Sequence, residues 1–114
     1  MNTVSLIGNL ATDVDLRDVG DDKKVASFLL AVGRPGADAP ADFVRVAAWD
    51  KQAELCAQYL VKGRRVAVTG RLRSRSWEDE GKRRTAVEVV AHHVDFLYAP
   101  ASPKETPFEA AVAS

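Results

Sequence analysis

Apolar and polar residues alternate along several short segments of the chain, and a period of two is the period of a β-strand. The first such segment is "TVSLIGNL", residues 3–10, in which Gly8 indicates a bulge or kink. The second, "VASFLLAV", residues 25–32, is nearly all apolar, which is typical of a buried strand. The third is "FVRVAAW", residues 43–49. The first half of the chain therefore predicts three strands.

The third segment has two different faces. Its aliphatic face, which we expect to point into the core, holds Val44, Val46 and Ala48. The opposite face, which we expect to point outward, holds Phe43, Arg45, Ala47 and Trp49. Two aromatic residues and one cation are thus predicted on the surface of a strand.

A helical pattern follows over residues 51–63. Asp50 is a residue type that commonly caps a helix, and Gly63 is a typical terminator. One side of this helix carries Ala53, Cys56, Ala57 and Leu60. Cys56 is interpreted as a small buried hydrophobic residue, although pairing across a subunit interface is the alternative.

The second half of the chain returns to the period of two. Residues 64–77 predict a strand whose inward face carries Val66, Val68 and Leu72. Its outward face carries an unusual row, an arginine at every second position followed by an indole: Arg71, Arg73, Arg75 and Trp77. Residues 78–83 form a hairpin loop turning at Gly81, and residues 85–99 predict a last strand, or two, bent near Ala91.

Three segments interrupt this pattern. Residues 11–24 carry five aspartates and a "VGDD" turn signal, and a solvated turn explains them better than an EF-hand calcium loop, whose twelfth position would be Lys24 instead of glutamate. Residues 33–42 predict a mobile Gly/Pro/Ala loop, and the chain beyond Pro100 is expected to fray. The domain prediction is therefore residues 1–99, with a flexible tail over 100–114.

Length and composition restrict the class of protein. A chain of 114 residues forms one domain, and its single cysteine excludes an internal disulfide. There is neither an apolar run of the ~20 residues that span a bilayer nor a signal-peptide pattern, so a cytoplasmic protein is expected. The net charge is zero, but residues 62–84 hold nine Lys and Arg against three Asp and Glu, a local net charge of +6. An anionic partner is attracted by the local charge of that segment more than by the net charge of the whole chain.

The two outward faces combine cations with aromatic rings, and single-stranded nucleic acid needs both. Its phosphates attract cations, and its unpaired bases stack on flat π-surfaces. The alternative is that the aromatic residues belong to the core and the arginines only solubilise the surface. The one helix lacks the basic face of a major-groove reader. An enzyme is not predicted: His92 and His93 are adjacent on a strand and point to opposite faces, and no phosphate-binding loop or nucleophile elbow is present. No metal or cofactor is expected.

The order of elements, three strands, one helix, then further strands with a long hairpin, suits an OB-fold, a five-stranded Greek-key barrel. Over residues 2–99 the chain resembles the bacterial single-stranded-DNA-binding protein (SSB) family, most specifically in "VRVAAWDKQAELCAQYLVKGRRVAVTGRLRSRSW". The resemblance implies an OB-fold, a homotetramer built from dimers, and sequence-independent binding of single-stranded DNA in replication, repair or recombination at the nucleoid. It assigns stacking to Phe43, Trp49 and Trp77. It assigns polar or charged contacts to Arg45, Lys51, Arg71, Arg73, Arg75 and Arg84.

Two stretches depart from the family pattern. Where many members carry a further tryptophan, this chain has "GRPGADAP", so one stacking platform fewer is expected. The chain ends "SPKETPFEAAVAS", without the acidic, Phe-ended tip that recruits replication and repair enzymes in the family, which argues against recruitment by that route. Two alternative functions use the same basic surface: a primosome-type adaptor or RNA binder, and a protein–protein assembly module.

Overall fold

The computed structural model describes residues 1–33 and 40–97, and within these ranges the chain forms six strands and one helix. The elements are β1 (Val4–Leu10), β2 (Asp15–Asp18), β3 (Lys24–Val32), β4 (Asp42–Trp49), α1 (Asp50–Tyr59), β5 (Arg65–Asp79) and β6 (Lys82–Phe96). The three strands predicted from the first half of the chain correspond to β1, β3 and β4. Residues 34–39 of the loop predicted over 33–42 and the predicted tail at 100–114 lie outside the described residues, so the domain boundary stays a prediction.

The strands form one sheet in the order β1-β5-β6-β4-β3-β2. Because β1 also pairs with β3, five of the strands close into a ring, and β2 lies outside this ring against β3. Five of the six pairings are antiparallel. The pairing of β4 with β6 is parallel. The ring with one helix between β4 and β5 agrees with the predicted OB-fold.

The core fills the inside of this ring with aliphatic side chains. Its largest fully buried members are Leu30, Val46, Val66, Val68, Val89 and Cys56. Helix α1 contributes Ala53 and Cys56, so the prediction of a buried Cys56 is confirmed. Burial raises the pKa of the Cys56 thiol to about 11, because removal from water disfavours the thiolate. The thiol is therefore protonated and weakly nucleophilic at neutral pH.

Two strand glycines lie where backbones approach too closely for any side chain. A Cβ added to Gly8 would meet the carbonyl oxygen of Ala31, and one added to Gly70 would meet that of Val90. Gly70 also lies at a register shift between β5 and β6, where His92 is the extra residue. This irregularity falls beside Ala91, where the sequence predicted a bend in the last strand.

The structure corrects three predictions. Leu72 was expected in the core, but it is 47% exposed because the pairing of β1 with β5 ends at Gly70. The helix ends at Tyr59 rather than near Gly63, which lies in the following turn at φ 95°. Asp50 does not cap the helix: its carboxylate accepts a hydrogen bond from the backbone N–H of Lys24 at 3.3 Å.

Part of the acidic segment is also ordered differently from the prediction. Residues 15–18 form the short strand β2, and the predicted turn follows it, with backbone hydrogen bonds from Val19 to Lys23 and from Lys23 to Gly20. Across the described ranges, no helix is both long enough and apolar enough to cross a membrane.

Candidate nucleic-acid interface

The two outward faces predicted from the sequence lie on one surface, but their strands are not neighbours. Strand β6 lies between β4 and β5, pairing with both. Register places Val90 beside Ala47 of β4 on one side and beside Arg71 of β5 on the other. Small side chains thus form the floor of the surface between the two predicted faces, and longer cationic side chains rise on both sides.

The centre of this surface is a groove of about 300 Å³ that crosses from β2 and β3 over β4 and β6 to β5. Four residues predicted from the sequence line it: Arg45, Trp49, Arg73 and Arg75. Its remaining lining residues are Arg17, Val19, Val25, Ser27, Ala47 and Glu88. Residues from β2 and the turn after it, and from β3, β4, β5 and β6, therefore converge on one cavity.

A buried carboxylate lies at the centre of the groove. Glu88 is 2% exposed, and it is the one charged residue of the described ranges that is buried. Arg73, opposite Glu88 in the β5–β6 register, donates to its Oε1 from Nη2 at 2.5 Å and from Nε at 3.2 Å. Arg45 Nε lies 3.5 Å from Oε2, and Arg75 Nη1 lies 3.9 Å from the same oxygen. Three guanidinium groups therefore share one carboxylate.

Trp77 lies further along β5, on the part of the strand that projects from the barrel. Its side chain is 42% exposed, and the Arg75 guanidinium lies 5.2 Å from the centre of its ring, which is cation–π distance. A second, shallow cavity is lined by Trp77 with Ser76, Glu78 and Arg83. The indole is thus accessible and is oriented in part by its arginine neighbour.

The remaining predicted residues surround the groove without lining it. Phe43 is 64% exposed on the same face of β4 as Arg45, toward the other end of the strand. Arg71 shares the face of Arg73 on β5, and Arg84 lies opposite Trp77, with its Nε 3.9 Å from Asp79 Oδ2. Lys51 is exposed on the first turn of α1, two residues after Trp49.

Sequence reasoning missed Glu88 and Arg17. Glu88 is the one acidic residue in the apolar run "AVEVVA", and a charge in such a run needs a partner, so this signal could have found it. Arg17 was hidden in the segment interpreted as a turn. It lies on β2 opposite Val25, and its Nε contacts Asp15 Oδ2 at 3.0 Å.

This arrangement suits a flexible polyanion with flat groups. Arginines at the groove have more donors than one carboxylate can accept, because each guanidinium carries five N–H groups. Ala47 and Val90 leave room for a strand to approach, and the indoles of Trp49 and Trp77 lie at the groove and beyond it. Of the described residues, none form a group of three or more His, Cys, Asp or Glu that could hold a metal ion.

A closed ring of five strands with one helix, carrying a cationic and aromatic face across three of its strands, defines an OB-fold protein of the nucleic-acid-binding kind. The chain belongs to the single-strand binding protein family, whose family model matches residues 1–97. The matched region contains every residue of the groove.

Similar proteins come from several bacteria. The chain is 44% identical over 102 residues to a single-stranded DNA-binding protein of Caldanaerobacter subterraneus subsp. tengcongensis, a match that covers 85% of this chain and 68% of the relative. It is 45% identical over 102 residues to a single-stranded DNA-binding protein of Bacillus cereus, covering 85% of this chain and 60% of the relative. Single-stranded DNA-binding protein 1 of Chlorobaculum tepidum is 36% identical over 105 residues, with 85% and 65% covered. The chain thus spans roughly two thirds of the length of these relatives.

Proposed function

We propose that this protein binds single-stranded DNA without sequence preference and protects it during replication, repair or recombination, in the bacterial cytoplasm at the nucleoid. The role is binding without catalysis. The observation that carries the proposal is the groove across β4, β6 and β5, in which Arg45, Arg73 and Arg75 lie around one site together with Trp49. Membership of the single-strand binding protein family supports it, and it favours neither the adaptor nor the assembly-module alternative.

The aromatic residues and the cations have different tasks in this proposal. Phe43, Trp49 and Trp77 stack on bases, and each stacked base contributes about 1–3 kcal/mol whatever its identity. The contacts to phosphates and base edges come from Arg45, Lys51, Arg71, Arg73, Arg75 and Arg84. Because neither stacking nor phosphate contact reads base identity, the proposed binding is tolerant of sequence.

We also propose that the protein assembles as a homotetramer built from dimers. Support comes from the family resemblance and from Ile7, which is 52% exposed on β1. Among the described residues, the first five positions of β1 pair with β5 along one edge and with no strand along the other. Sedimentation equilibrium tests the assembly independently of DNA, and a monomer at micromolar concentration would contradict it.

Intrinsic tryptophan fluorescence during titration with oligo-deoxythymidine tests the DNA-binding proposal. Both tryptophans of the chain, Trp49 and Trp77, belong to the proposed interface, so stacking is expected to quench most of the emission. The quenching should persist at moderate salt, because stacking does not depend on counterion release, whereas the phosphate contacts give a salt slope of about −0.7 per phosphate neutralised.

Two variants and one competitor complete this test. Trp49→Phe and Trp77→Phe leave one reporter each and assign the quenching to the groove or to the projecting strand. An oligo-uridine competitor separates DNA from RNA preference. Binding that disappears at modest salt with unchanged emission would contradict the proposal, since the arginines would then attract phosphates without any base stacking.

A further inference from the structure

Glu88 is buried at the centre of the interface, where an acidic side chain works against a polyanionic ligand. Its 2% exposure means that the carboxylate has lost most of its hydration, which is unfavourable unless partners replace the water. The partners are the three arginines of the groove, and both carboxylate oxygens are used: Oε1 by Arg73 and Oε2 by Arg45 and Arg75. A stable barrel could have had an aliphatic residue here, so the position of this charge needs a reason other than packing.

The three arginines do not contact Glu88 equally. Arg73 uses both Nε and Nη2 on one oxygen, so its guanidinium is fixed in plane and direction. Arg45 also donates from Nη2 to Ser27 Oγ at 3.4 Å, which fixes it from a second side. Arg75, at 3.9 Å, is the loosest of the three, and it lies over the Trp77 ring. All three side chains keep between 36% and 48% of their surface exposed, so donors remain for a ligand.

The carboxylate also links two parts of the barrel that the backbone joins only briefly. Strands β4 and β6 pair through two residue pairs, Val46 with Val89 and Ala47 with Val90. Glu88 precedes this junction on β6, and its contact with Arg45 crosses to β4. The ion pairs therefore set the position of Arg45 relative to Arg73 across the junction.

We propose that Glu88 is a positioning residue for nucleic-acid binding: it holds Arg45, Arg73 and Arg75 in a fixed arrangement before the strand arrives. This inference rests on the proposed function. A free arginine loses side-chain entropy when a ligand orders it, and one already ordered by Glu88 loses less. The buried carboxylate also offsets repulsion among the three guanidinium groups, which lets them stand close enough to contact one strand.

The proposal makes a prediction of unusual sign. If only net charge mattered, removing the Glu88 carboxylate would strengthen binding to a polyanion. If Glu88 positions the arginines, removing it weakens that binding. For Glu88→Gln, which keeps the shape and loses the charge, we expect an affinity for oligo-deoxythymidine about tenfold lower at salt of ~0.2 M and above. The salt slope should become steeper, because the unpaired arginines then rely more on phosphates.

Two further variants separate position from charge. Glu88→Asp keeps the charge but is one methylene shorter, so the carboxylate no longer reaches all three arginines, and we expect it to weaken binding as well. Asp21→Asn removes one acidic charge from the exposed turn after β2, where no ion pair to it is seen among residues 1–33 and 40–97, and should bind as tightly as the unmodified protein or slightly tighter. If Glu88→Gln binds like Asp21→Asn, or Glu88→Asp binds like the unmodified protein, the positioning role is wrong.

A measurement on the unmodified chain covers the case in which a Glu88 variant does not fold. Nitrogen-15 relaxation of arginine Nε–H groups without DNA should show Arg73 ordered and slow to exchange. Arg71, on the same face of β5 and without an ion pair to the described residues, is the matched control and should be mobile. Equal mobility of the two side chains would overturn the proposal. If the unmodified protein does not bind oligo-deoxythymidine at all, the proposed function fails first, and the positioning role fails with it even where Arg73 is ordered.

Discussion

The two halves of β5 follow the same alternation in sequence but lie in different surroundings. In the first half, the even-numbered positions Val66, Val68 and Gly70 are buried in the wall of the barrel. In the second half, Leu72 continues the same face and is 47% exposed, and from Ser74 onward every residue is exposed. A period of two therefore describes both halves, although only one of them contributes to the core.

The difference comes from the neighbours of the strand. Strand β1 pairs with β5 from Asn9 opposite Arg65 to Val4 opposite Gly70. Beyond Gly70, among the described residues, β6 is the one strand that pairs with β5, and on the other edge the Asn2 side chain hydrogen-bonds to the backbone N–H and C=O of Leu72. Alternation fixes which way a side chain points, whereas burial also needs another element to cover it. The projecting half of β5 is not paired with β1, and it carries Arg73, Arg75 and Trp77.

The largest expected effect comes at the boundary between the two halves. Gly70→Ala places a Cβ against the carbonyl oxygen of Val90, and both are backbone atoms that cannot move aside cheaply. We expect the free energy of unfolding to fall by at least about 3 kcal/mol, measured by urea denaturation. Gly33→Ala is the control, because a Cβ there meets no atom of the described residues within 4 Å. Equal stability of the two variants would mean that the boundary is not a close approach.

The next effect tests the covered half. Val68 is 1% exposed, and Val68→Thr keeps its shape while burying a hydroxyl. The free energy of unfolding should fall by about 1–3 kcal/mol. The DNA affinity of the folded Val68→Thr protein should not change, because Val68 points away from the groove. A loss of affinity without a loss of stability would place this face in the interface.

The projecting half should respond in the opposite way. Trp77→Ala is expected to weaken binding to oligo-deoxythymidine by about 1–3 kcal/mol, since one stacking platform is lost. The free energy of unfolding should change by less than about 1 kcal/mol, because the ring is 42% exposed and loses mainly its contact with Arg75. Titration calorimetry and thermal unfolding of the same variant distinguish the two quantities. Unfolding with full DNA affinity would show that the indole belongs to the core.

The smallest effect is expected at Leu72, on the same face as Val68 and four residues further along. Leu72→Thr should change the free energy of unfolding by no more than about 0.5 kcal/mol, as is usual for exposed positions. The urea midpoint measured beside that of Val68→Thr gives the comparison directly. A cost above about 1 kcal/mol would show that Leu72 is covered in the assembled protein.

Much of this architecture can be predicted from the sequence, and the errors have physical causes. Alternation located β1, β3, β4 and β5 and identified the outward aromatic and arginine residues, because orientation on a strand is a local property. Leu72 was misplaced because its burial depends on where β1 ends, which is not local. Strand β2 was missed because its "DLRD" sequence is fully exposed and carries no apolar signal.

The candidate site was predicted in its parts but not in its assembly. No local pattern indicates that β6 lies between β4 and β5, or that its pairing with β4 is parallel. Glu88 therefore could not be placed beside Arg45, a contact that joins residues 43 positions apart in the chain. Its isolation in an apolar run indicated a buried charge with a partner, and the topology of the sheet identified the partners.

The barrel closes through two short strand contacts, and these are the places where it is expected to open transiently. Its antiparallel blocks, β1–β5–β6 and β2–β3–β4, meet through two residue pairs at β4–β6 and two at β1–β3. Short contacts open at lower free energy than long ladders, so amide hydrogens there should exchange first. A DNA strand lying over the groove crosses the β4–β6 contact but not the β1–β3 contact. Binding of DNA should therefore slow amide hydrogen exchange at Val90 more than at Ala31. The bound strand would then stabilise one of the two short contacts that close the barrel.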